Sequence, residues 1–160
     1  MTSRRKQSLR ETVQGAHVVV TSYALFRGKA EEYRELEWSG LILDEAQQIK
    51  NSVSHGYRAA RALGAPFTVV ITGTPIENNL LELWSLTSLA APGLLGSKQR
   101  FTDYFRTPIE KQHSAERLTL LQRRLRPFLL RRTKDLVASE LPAKQEQMLE
   151  IELHPKHRKL

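Results

Sequence analysis

Cysteine is absent from this chain of 160 residues, and so is any long apolar run. Without cysteine there is no disulfide partner and no thiolate metal site, which is compatible with a reducing compartment. No segment approaches the about 20 consecutive apolar residues of a transmembrane helix, and the N-terminus lacks the apolar core of a signal peptide. The sequence therefore indicates no membrane partner, and its length favours one domain with a modest core.

A glycine-rich phosphate loop is also missing. The pattern G-x-x-x-x-G-K-[ST] occurs nowhere, and Gly28-Lys29-Ala30 has neither its spacing nor a strand before it. Such a loop supplies the backbone amides and the lysine that cradle nucleotide phosphates. We therefore expect no hydrolysis of ATP by this chain alone.

Basic residues are concentrated in the distal part of the chain. Residues 1–95 carry ten Lys/Arg and nine Asp/Glu, whereas residues 96–160 carry fifteen and eight. A basic segment of this kind favours a polyanion as partner, and nucleic acid is the natural candidate because phosphate contacts release counterions. From charge alone, a solvated surface is the other interpretation.

Short apolar runs alternate with helical patterns over the first half of the chain, which predicts an α/β fold. Strands are predicted at residues 17–20, 41–43 and 67–71, and helices at residues 23–36, 52–63 and 80–89. Such alternation indicates a parallel sheet with right-handed crossovers. Asn78 or Asn79 is placed to cap the third helix. Beyond Gly96, helices are predicted at residues 97–105 and 114–125, and a strand at residues 147–153.

Two adjacent acids, Asp44 and Glu45, directly follow the apolar run Leu41-Ile42-Leu43. In open α/β sheets, ligands bind at the carboxyl ends of the strands. A first acid there can hold hydrated Mg²⁺ against nucleotide phosphates, and a second can orient or deprotonate the attacking water. The alternative is a strand that ends at a solvated acid pair before a helix.

A second apolar run, Phe67–Ile71, ends in the hydroxyl-rich turn Thr72-Gly73-Thr74-Pro75. Together, Asp44-Glu45-Ala46-Gln47 and TGTP-IENNLLELWSL resemble motifs II and III of the Swi/Snf-type (sucrose-non-fermenting) DNA-dependent ATPases of helicase superfamily two. Residues 16–23 (AHVVVTSY) and 126–134 (RPFLLRRTK) resemble further blocks of that family. One residue departs from the pattern: Glu77 stands where many relatives have glutamine.

The resemblance implies ATP and Mg²⁺ as cofactors and assigns nucleotide-site roles. Asp44 would hold Mg²⁺ through water, and Glu45 would position or activate the hydrolytic water. Gln47 would link the nucleotide site to the motif III turn. The residues that would transmit the nucleotide state to DNA are Thr72, Gly73 and Thr74.

The resemblance also implies double-stranded DNA and protein–DNA complexes as partners. Ser22 and Tyr23 would lie near the phosphate backbone, through a hydroxyl or a backbone amide. Arg131, Arg132 and Lys134 are the candidates for DNA contact or for bracing two lobes of a motor. Bracing acids within the protein is an equally good interpretation of those three cations.

The resemblance implies a partial RecA-like (P-loop NTPase) parallel sheet followed by a helical protrusion. The expected division is residues 1–95 as the distal half of lobe one, residues 96–144 as the protrusion, and residues 145–160 as the start of lobe two. We expect a fragment of an ATP-dependent DNA translocase, in the cytoplasm and nucleoid-associated if bacterial, or nuclear if eukaryotic.

Two other functions remain open. A DEAD-like unwinding helicase would have Ser-Ala-Thr in place of the Thr-Gly-Thr-Pro turn. A non-catalytic DNA-binding remnant of a truncated motor gene would bind DNA in a salt-sensitive manner and would not hydrolyse ATP.

Overall fold

The structure is a computed structural model that describes residues 8–73, 79–132 and 147–148. The chain divides into two compact units, residues 1–128 and 129–160. All the described helices and strands belong to the first unit. In these described ranges, no helix has both the length and the apolar composition to pass through a membrane.

The elements of the first unit alternate between helix and strand up to the second strand and are helical afterwards. In chain order they are α1 (Leu9–Val13), α2 (Tyr23–Gly28), α3 (Ala30–Arg34), β1 (Leu41–Leu43), a 3₁₀ helix (Ala46–Ile49), α4 (His55–Ala62), β2 (Thr68–Val70), α5 (Leu80–Ala90), α6 (Lys98–Phe101), a π-helical turn (Thr102–Arg106), α7 (Thr107–Gln112) and α8 (Ala115–Leu125).

The sheet consists of β1 and β2, which pair in parallel with Leu41 opposite Thr68 and Leu43 opposite Val70. Helix α4 connects them, as the alternating pattern predicts for a βαβ unit. β1 coincides with the predicted strand at residues 41–43, and β2 is one residue shorter at each end than the predicted strand at residues 67–71.

The predicted strand at residues 17–20 is wrong. This segment has no strand structure, and the side chains of Val18 and Val20 are 79% and 92% exposed. A strand requires a neighbour for its backbone groups, and β1 and β2 pair only with each other in the described sheet. A run of apolar, β-branched residues therefore does not form a strand unless the edge of another strand is available for pairing.

The predicted helix over residues 23–36 is two helices. Lys29 leaves the helical region with φ −122° and ψ 26°, and its N–H closes α2 on the Leu25 carbonyl. Gly28 before it is a weak helix former, which favours a break at this point. The chain then turns at Trp38, whose indole N–H donates to the Tyr33 carbonyl at 2.8 Å.

The helices predicted at residues 52–63 and 80–89 are confirmed as α4 and α5. Ser54 caps α4 by accepting from the Tyr57 N–H, and Asn79 caps α5 by accepting from the Leu81 N–H. Of the two asparagines predicted as possible caps, Asn79 is the one that caps α5, and Asn78 lies outside the described residues. Side-chain caps satisfy amides that have no partner within the helix.

The helical segment after Gly96 extends further than predicted. Instead of ending near residue 105, α6 continues through the π-helical turn into α7 and ends at Gln112. Pro108 lies in the first turn of α7, where a missing N–H costs little, so it does not terminate the helix. The predicted helix at residues 114–125 is confirmed as α8.

Two hydrophobic clusters form the core of the first unit. The first packs α2–α4 and one side of α5 around β1, and its innermost members include Ala46 and Ile49 at 0% and 2% exposure. The second joins α5 to α6–α8 through Trp84, Phe101 and Phe105. Trp84 is therefore a core residue, as its helical spacing predicts, and its indole N–H donates to the Gly96 carbonyl.

Some sequence predictions cannot be compared with this structure. Thr74, Glu77, Lys134 and most of the predicted strand at residues 147–153 lie outside the described residues. The three-part division at residues 95 and 144 stays a prediction.

Candidate functional site

The segments that follow β1 and β2 lie side by side at the carboxyl edge of the sheet. The Ile71 N–H donates to the Leu43 carbonyl at 2.8 Å, and the Ala46 N–H donates to the Ile71 carbonyl at 2.9 Å. These two bonds extend the pairing beyond the strands. They bring the segment that carries the Asp44-Glu45 pair next to the segment that carries Thr72.

The two acids lie on a tight turn with a constrained backbone. Asp44 and Glu45 are both exposed, and Asp44 Oδ1 accepts from the Glu45 N–H at 2.9 Å. Glu45 has φ 48° and ψ 45°, the left-handed region that non-glycine residues seldom occupy. Such a conformation costs on the order of 1–3 kcal/mol and persists only where the surroundings fix it. Here the buried Ala46 and Ile49 of the 3₁₀ helix anchor the turn.

Gln47 connects the acid pair to the segment after β2. Its Nε2 donates to Glu45 Oε2, and its Oε1 accepts from Thr72 Oγ1 at 2.8 Å. An amide can donate at one atom and accept at the other, so one side chain joins a carboxylate to a hydroxyl. The structure thus brings Glu45, Gln47 and Thr72 into one hydrogen-bonded chain.

Tyr23 also reaches this site. Its hydroxyl donates to the Asp44 carbonyl at 2.7 Å. Partial burial, followed by the negative charges of Asp44 and Glu45, raises the pKa of the Tyr23 hydroxyl above its usual value of 10.0, which keeps it a donor. Ser22 precedes it as the N-cap of α2, where its Oγ accepts from the Leu25 N–H at 3.3 Å.

The Tyr23–Asp44 bond and the left-handed Glu45 are features that the sequence analysis missed. Tyr23 is predicted to lie near the DNA backbone, which stays a prediction, and its hydroxyl is bonded to the Asp44 carbonyl within the protein. No spacing rule links two residues 21 positions apart across different elements, so the sequence carries no local signal for this bond. The sequence carries no signal for the left-handed backbone of Glu45 either, because glycine is the residue that usually marks such a conformation.

The other predicted residues lie in other parts of the described chain or outside the described ranges. Gly73 is exposed at the end of a described range. Arg131 and Arg132 are exposed and belong to the second unit. Thr74 and Lys134, as noted, fall outside the described ranges.

The donor set at Asp44 fits magnesium in one specific way. Among the described residues, no group of three or more His, Asp or Glu side chains could hold a metal ion. Mg²⁺, however, often takes one or two carboxylates and completes its shell with water and substrate phosphates. Asp44 is exposed, and of its two carboxylate oxygens only Oδ1 accepts a described hydrogen bond. A hydrated, phosphate-bound Mg²⁺ is therefore compatible with this edge, whereas a cage made only of protein ligands is not.

Comparison with solved structures defines the class of this α/β domain. The chain is similar to the Sulfolobus solfataricus SWI2/SNF2 ATPase core in complex with dsDNA, with 39% sequence identity and a TM-score of 0.63. The match covers 70% of this chain and 24% of that one. The fold is accordingly RecA-like, as the sequence resemblance predicts.

The chain belongs to the SNF2-related domain family, whose model matches residues 1–160. It is 43% identical to the putative ATP-dependent helicase/translocase YwqA of Bacillus subtilis, over 84% of this chain and 15% of that protein. It is 34% identical to the TATA-binding protein-associated factor mot1 of Schizosaccharomyces pombe, over 97% of this chain and 8% of that protein. The chain thus spans a small part of the length of these relatives.

Proposed function

We propose that this chain is part of an ATP-dependent motor that moves on double-stranded DNA and remodels protein–DNA complexes. The single observation that carries the proposal is the hydrogen-bonded chain from Glu45 through Gln47 to Thr72. It gives the acid pair a direct connection to the segment after β2. A displacement of Glu45 would therefore change the position of Thr72, and a displacement of Thr72 would change that of Glu45.

The roles of the acids follow from their chemistry. Asp44 would hold Mg²⁺ through water, and the ion would neutralise charge on the phosphates of ATP. Glu45 would accept a proton from, or orient, the attacking water. The Gln47 amide keeps the Glu45 carboxylate in place, since it donates to Oε2. The Tyr23 hydroxyl fixes the backbone of the acid turn, since it donates to the Asp44 carbonyl.

Thr72, Gly73 and Thr74 would pass the nucleotide state on to DNA. Ser22 and Tyr23 would lie near the DNA backbone. Arg131, Arg132 and Lys134 would contact DNA or brace the two lobes of the motor. Support for DNA as partner comes from the solved relative in complex with dsDNA and from the basic distal part of the chain. Remodelling of a protein–DNA complex is supported by the similarity to mot1, a TATA-binding protein-associated factor. The protein would act where DNA is, in a bacterial cytoplasm or a eukaryotic nucleus.

A second candidate function is DNA binding without catalysis. It is supported by the basic distal part of the chain, where residues 96–160 carry fifteen Lys/Arg and eight Asp/Glu. In that case Asp44 and Glu45 would have no nucleotide to act on. Binding would depend on the basic residues and would weaken steeply as salt concentration rises.

The first step of the test is to sequence the coding DNA on both sides of this reading frame. ATP hydrolysis is then measured for the intact protein with and without linear duplex DNA, and for its Glu45→Gln variant. We expect DNA to stimulate hydrolysis and Glu45→Gln to lower the rate by about 10²–10⁴-fold, the usual contribution of a general base. Glu37→Gln, a change at an exposed acid outside the site, is the matched control and should retain the rate.

Two results would contradict the motor proposal. One is an intact protein that binds duplex DNA but hydrolyses no ATP in its presence. The other is equal activity of the wild type and Glu45→Gln, which would remove Glu45 from the chemistry. The first result, combined with strong salt dependence of binding, would establish the second candidate function.

A further inference from the structure

A cavity of about 320 Å³ lies among the helices of the first unit, a size within the range of ligand pockets. Its lining combines the turn before α6 with side chains of α6, of the π-helical turn and of α8. The lining includes Gly93, Gly96, Arg100, Tyr104, Phe105 and Arg124. The turn has φ 87° at Gly93 and φ 71° at Gly96, and no other residue type would fit both angles without strain.

The two arginines of the cavity carry charge that the described protein does not neutralise. Neither Arg100 nor Arg124 forms an ion pair with any carboxylate of the described residues. The Arg124 guanidinium instead lies 5.5 Å from the centroid of the Phe105 ring. The nearby acid, Asp103, lines the adjoining hollow, and its carboxylate accepts from Gln99 Nε2 at 3.0 and 3.1 Å.

The surroundings add to this positive charge. Between residues 97 and 128 the chain has eight Lys/Arg and three Asp/Glu. One of these acids, Glu110, is already paired with Arg106 at 2.8 Å. An anion that enters the cavity would therefore meet two unpaired guanidinium groups in a basic field, with few competing carboxylates.

The aromatic side chains favour a peptide over duplex DNA as the occupant. Tyr104 is 42% exposed beside the cavity, and the Arg117 guanidinium lies 4.0 Å from its ring centroid. Exposed tyrosine together with arginine is typical of protein–protein hot spots. Duplex DNA is bound across broad surfaces and is too wide to enter a cavity of this volume.

We propose that this cavity binds an acidic side chain of a partner protein, presented by a peptide segment in which an apolar residue is adjacent. Arg100 and Arg124 bind the carboxylate, since the planar guanidinium matches its two oxygens. The neighbouring apolar side chain packs on Tyr104. Neither ATP nor DNA is needed for this contact, so it can be tested without the motor activity.

The test uses the full 160-residue chain and a fluorescein-labelled peptide, Glu-Glu-Leu-Glu-Glu-Leu, in fluorescence anisotropy titrations. The control peptide carries glutamine at each glutamate position. We expect saturable binding of the acidic peptide alone, weakened about tenfold in Arg100→Gln and in Arg124→Gln. Arg123→Gln removes the same charge from an exposed neighbour outside the cavity and should change the affinity less than about twofold.

Two further measurements make the result decisive. Thermal melting of the variants should coincide with that of the wild type, because both cavity arginines are exposed. Arg124→Lys, which keeps the charge but loses the planar fork, should bind with intermediate affinity. Absence of peptide binding, or equal losses in Arg123→Gln and Arg124→Gln, would overturn the proposal. Duplex DNA binding that falls only in Arg100→Gln and Arg124→Gln, without peptide binding, would overturn the proposal and assign the two arginines to DNA phosphates instead.

Discussion

The hydroxyl of Tyr23 donates a hydrogen bond of 2.7 Å to the backbone carbonyl of Asp44. The bond joins the first turn of α2 to the end of β1, and Asp44 is followed by the left-handed Glu45. A carbonyl held in place fixes the peptide plane that enters the acid turn. Tyr23 therefore positions the two acids without contacting either carboxylate through its hydroxyl.

Removal of this hydroxyl is the most direct test of that role. We expect Tyr23→Phe to keep the ring packing and to lower the free energy of unfolding by about 1 kcal/mol, the usual worth of a hydrogen bond. Urea denaturation of the 160-residue chain measures it. The control is Tyr104→Phe, whose hydroxyl has no described hydrogen bond and whose loss should cost less than about 0.5 kcal/mol. Equal losses in the two variants would show that the bond to Asp44 contributes nothing.

Stability at alkaline pH should also depend on Tyr23. Its folded-state pKa is raised above the usual 10.0, so the native state holds the phenolic proton more tightly than the unfolded state. The resulting stabilisation is complete below pH 10 and is lost as pH rises through the folded-state pKa. In urea denaturation at about pH 9, 10 and 11, the wild type should lose more stability than Tyr23→Phe. Parallel losses in both proteins would contradict the raised pKa.

The contact between Gln47 and Thr72 can be measured as a coupling energy. A double-mutant cycle with Gln47→Leu and Thr72→Val should give about 0.5–1.5 kcal/mol of interaction free energy in urea denaturation. Both replacements keep the approximate side-chain shape. Gln47→Leu removes the acceptor of the 2.8 Å bond, and Thr72→Val removes its donor. Both residues are only partly buried, which places the expected value toward the lower end of that range.

The matched cycle replaces Gln47 with its exposed neighbour Gln48. Because the Gln48 side chain has no described hydrogen bond, Gln48→Leu and Thr72→Val should be additive within about 0.5 kcal/mol. A coupling energy near zero in the Gln47 cycle would mean that the acid turn and the segment after β2 are independent. The proposed connection between nucleotide and DNA would then need another route.

Gly56 of α4 packs closely against the 3₁₀ helix that follows the acid turn. A Cβ at this position would lie 2.6 Å from Ile49 Cγ2, in the 3₁₀ helix that follows Glu45. We expect Gly56→Ala to destabilise the chain by about 1–3 kcal/mol, although alanine is the better helix former. Gly28→Ala is the control, because no atom lies within 4 Å of its Cβ, and it should stabilise by up to about 1 kcal/mol. The melting temperatures of the two variants should therefore shift in opposite directions, and a gain in both would contradict the close packing at Gly56.

Local signals predicted the parts of the fold that depend on neighbours in sequence. The apolar runs at residues 41–43 and 67–71 contain β1 and β2, and the predicted pair Asn78/Asn79 contains the cap of α5. At the site, the apolar run before Asp44 was enough to predict that the two acids follow a strand of a parallel sheet. That prediction needs only neighbours in sequence, because the acids directly follow the strand residues.

Predictions that depended on distant partners were less successful. Residues 17–20 have a strand-like composition but no partner strand in the described sheet, so they stay unpaired. The helix after Lys98 continues past Pro108, because the π-helical turn and the packing of Phe105 hold it together. Neither effect is visible in propensity, which reports only the residue and its near neighbours.

The sequence by itself determined the family, the βαβ order and the identity of the acids, because these depend on residue types at fixed spacing. Only the tertiary structure decided that Tyr23 bonds to Asp44, that Gln47 joins Glu45 to Thr72, and that two arginines face one cavity. These are contacts between residues from separate elements or with a specific side-chain direction. They form when the hydrophobic clusters fix the elements in space, and the order of residues alone does not specify them.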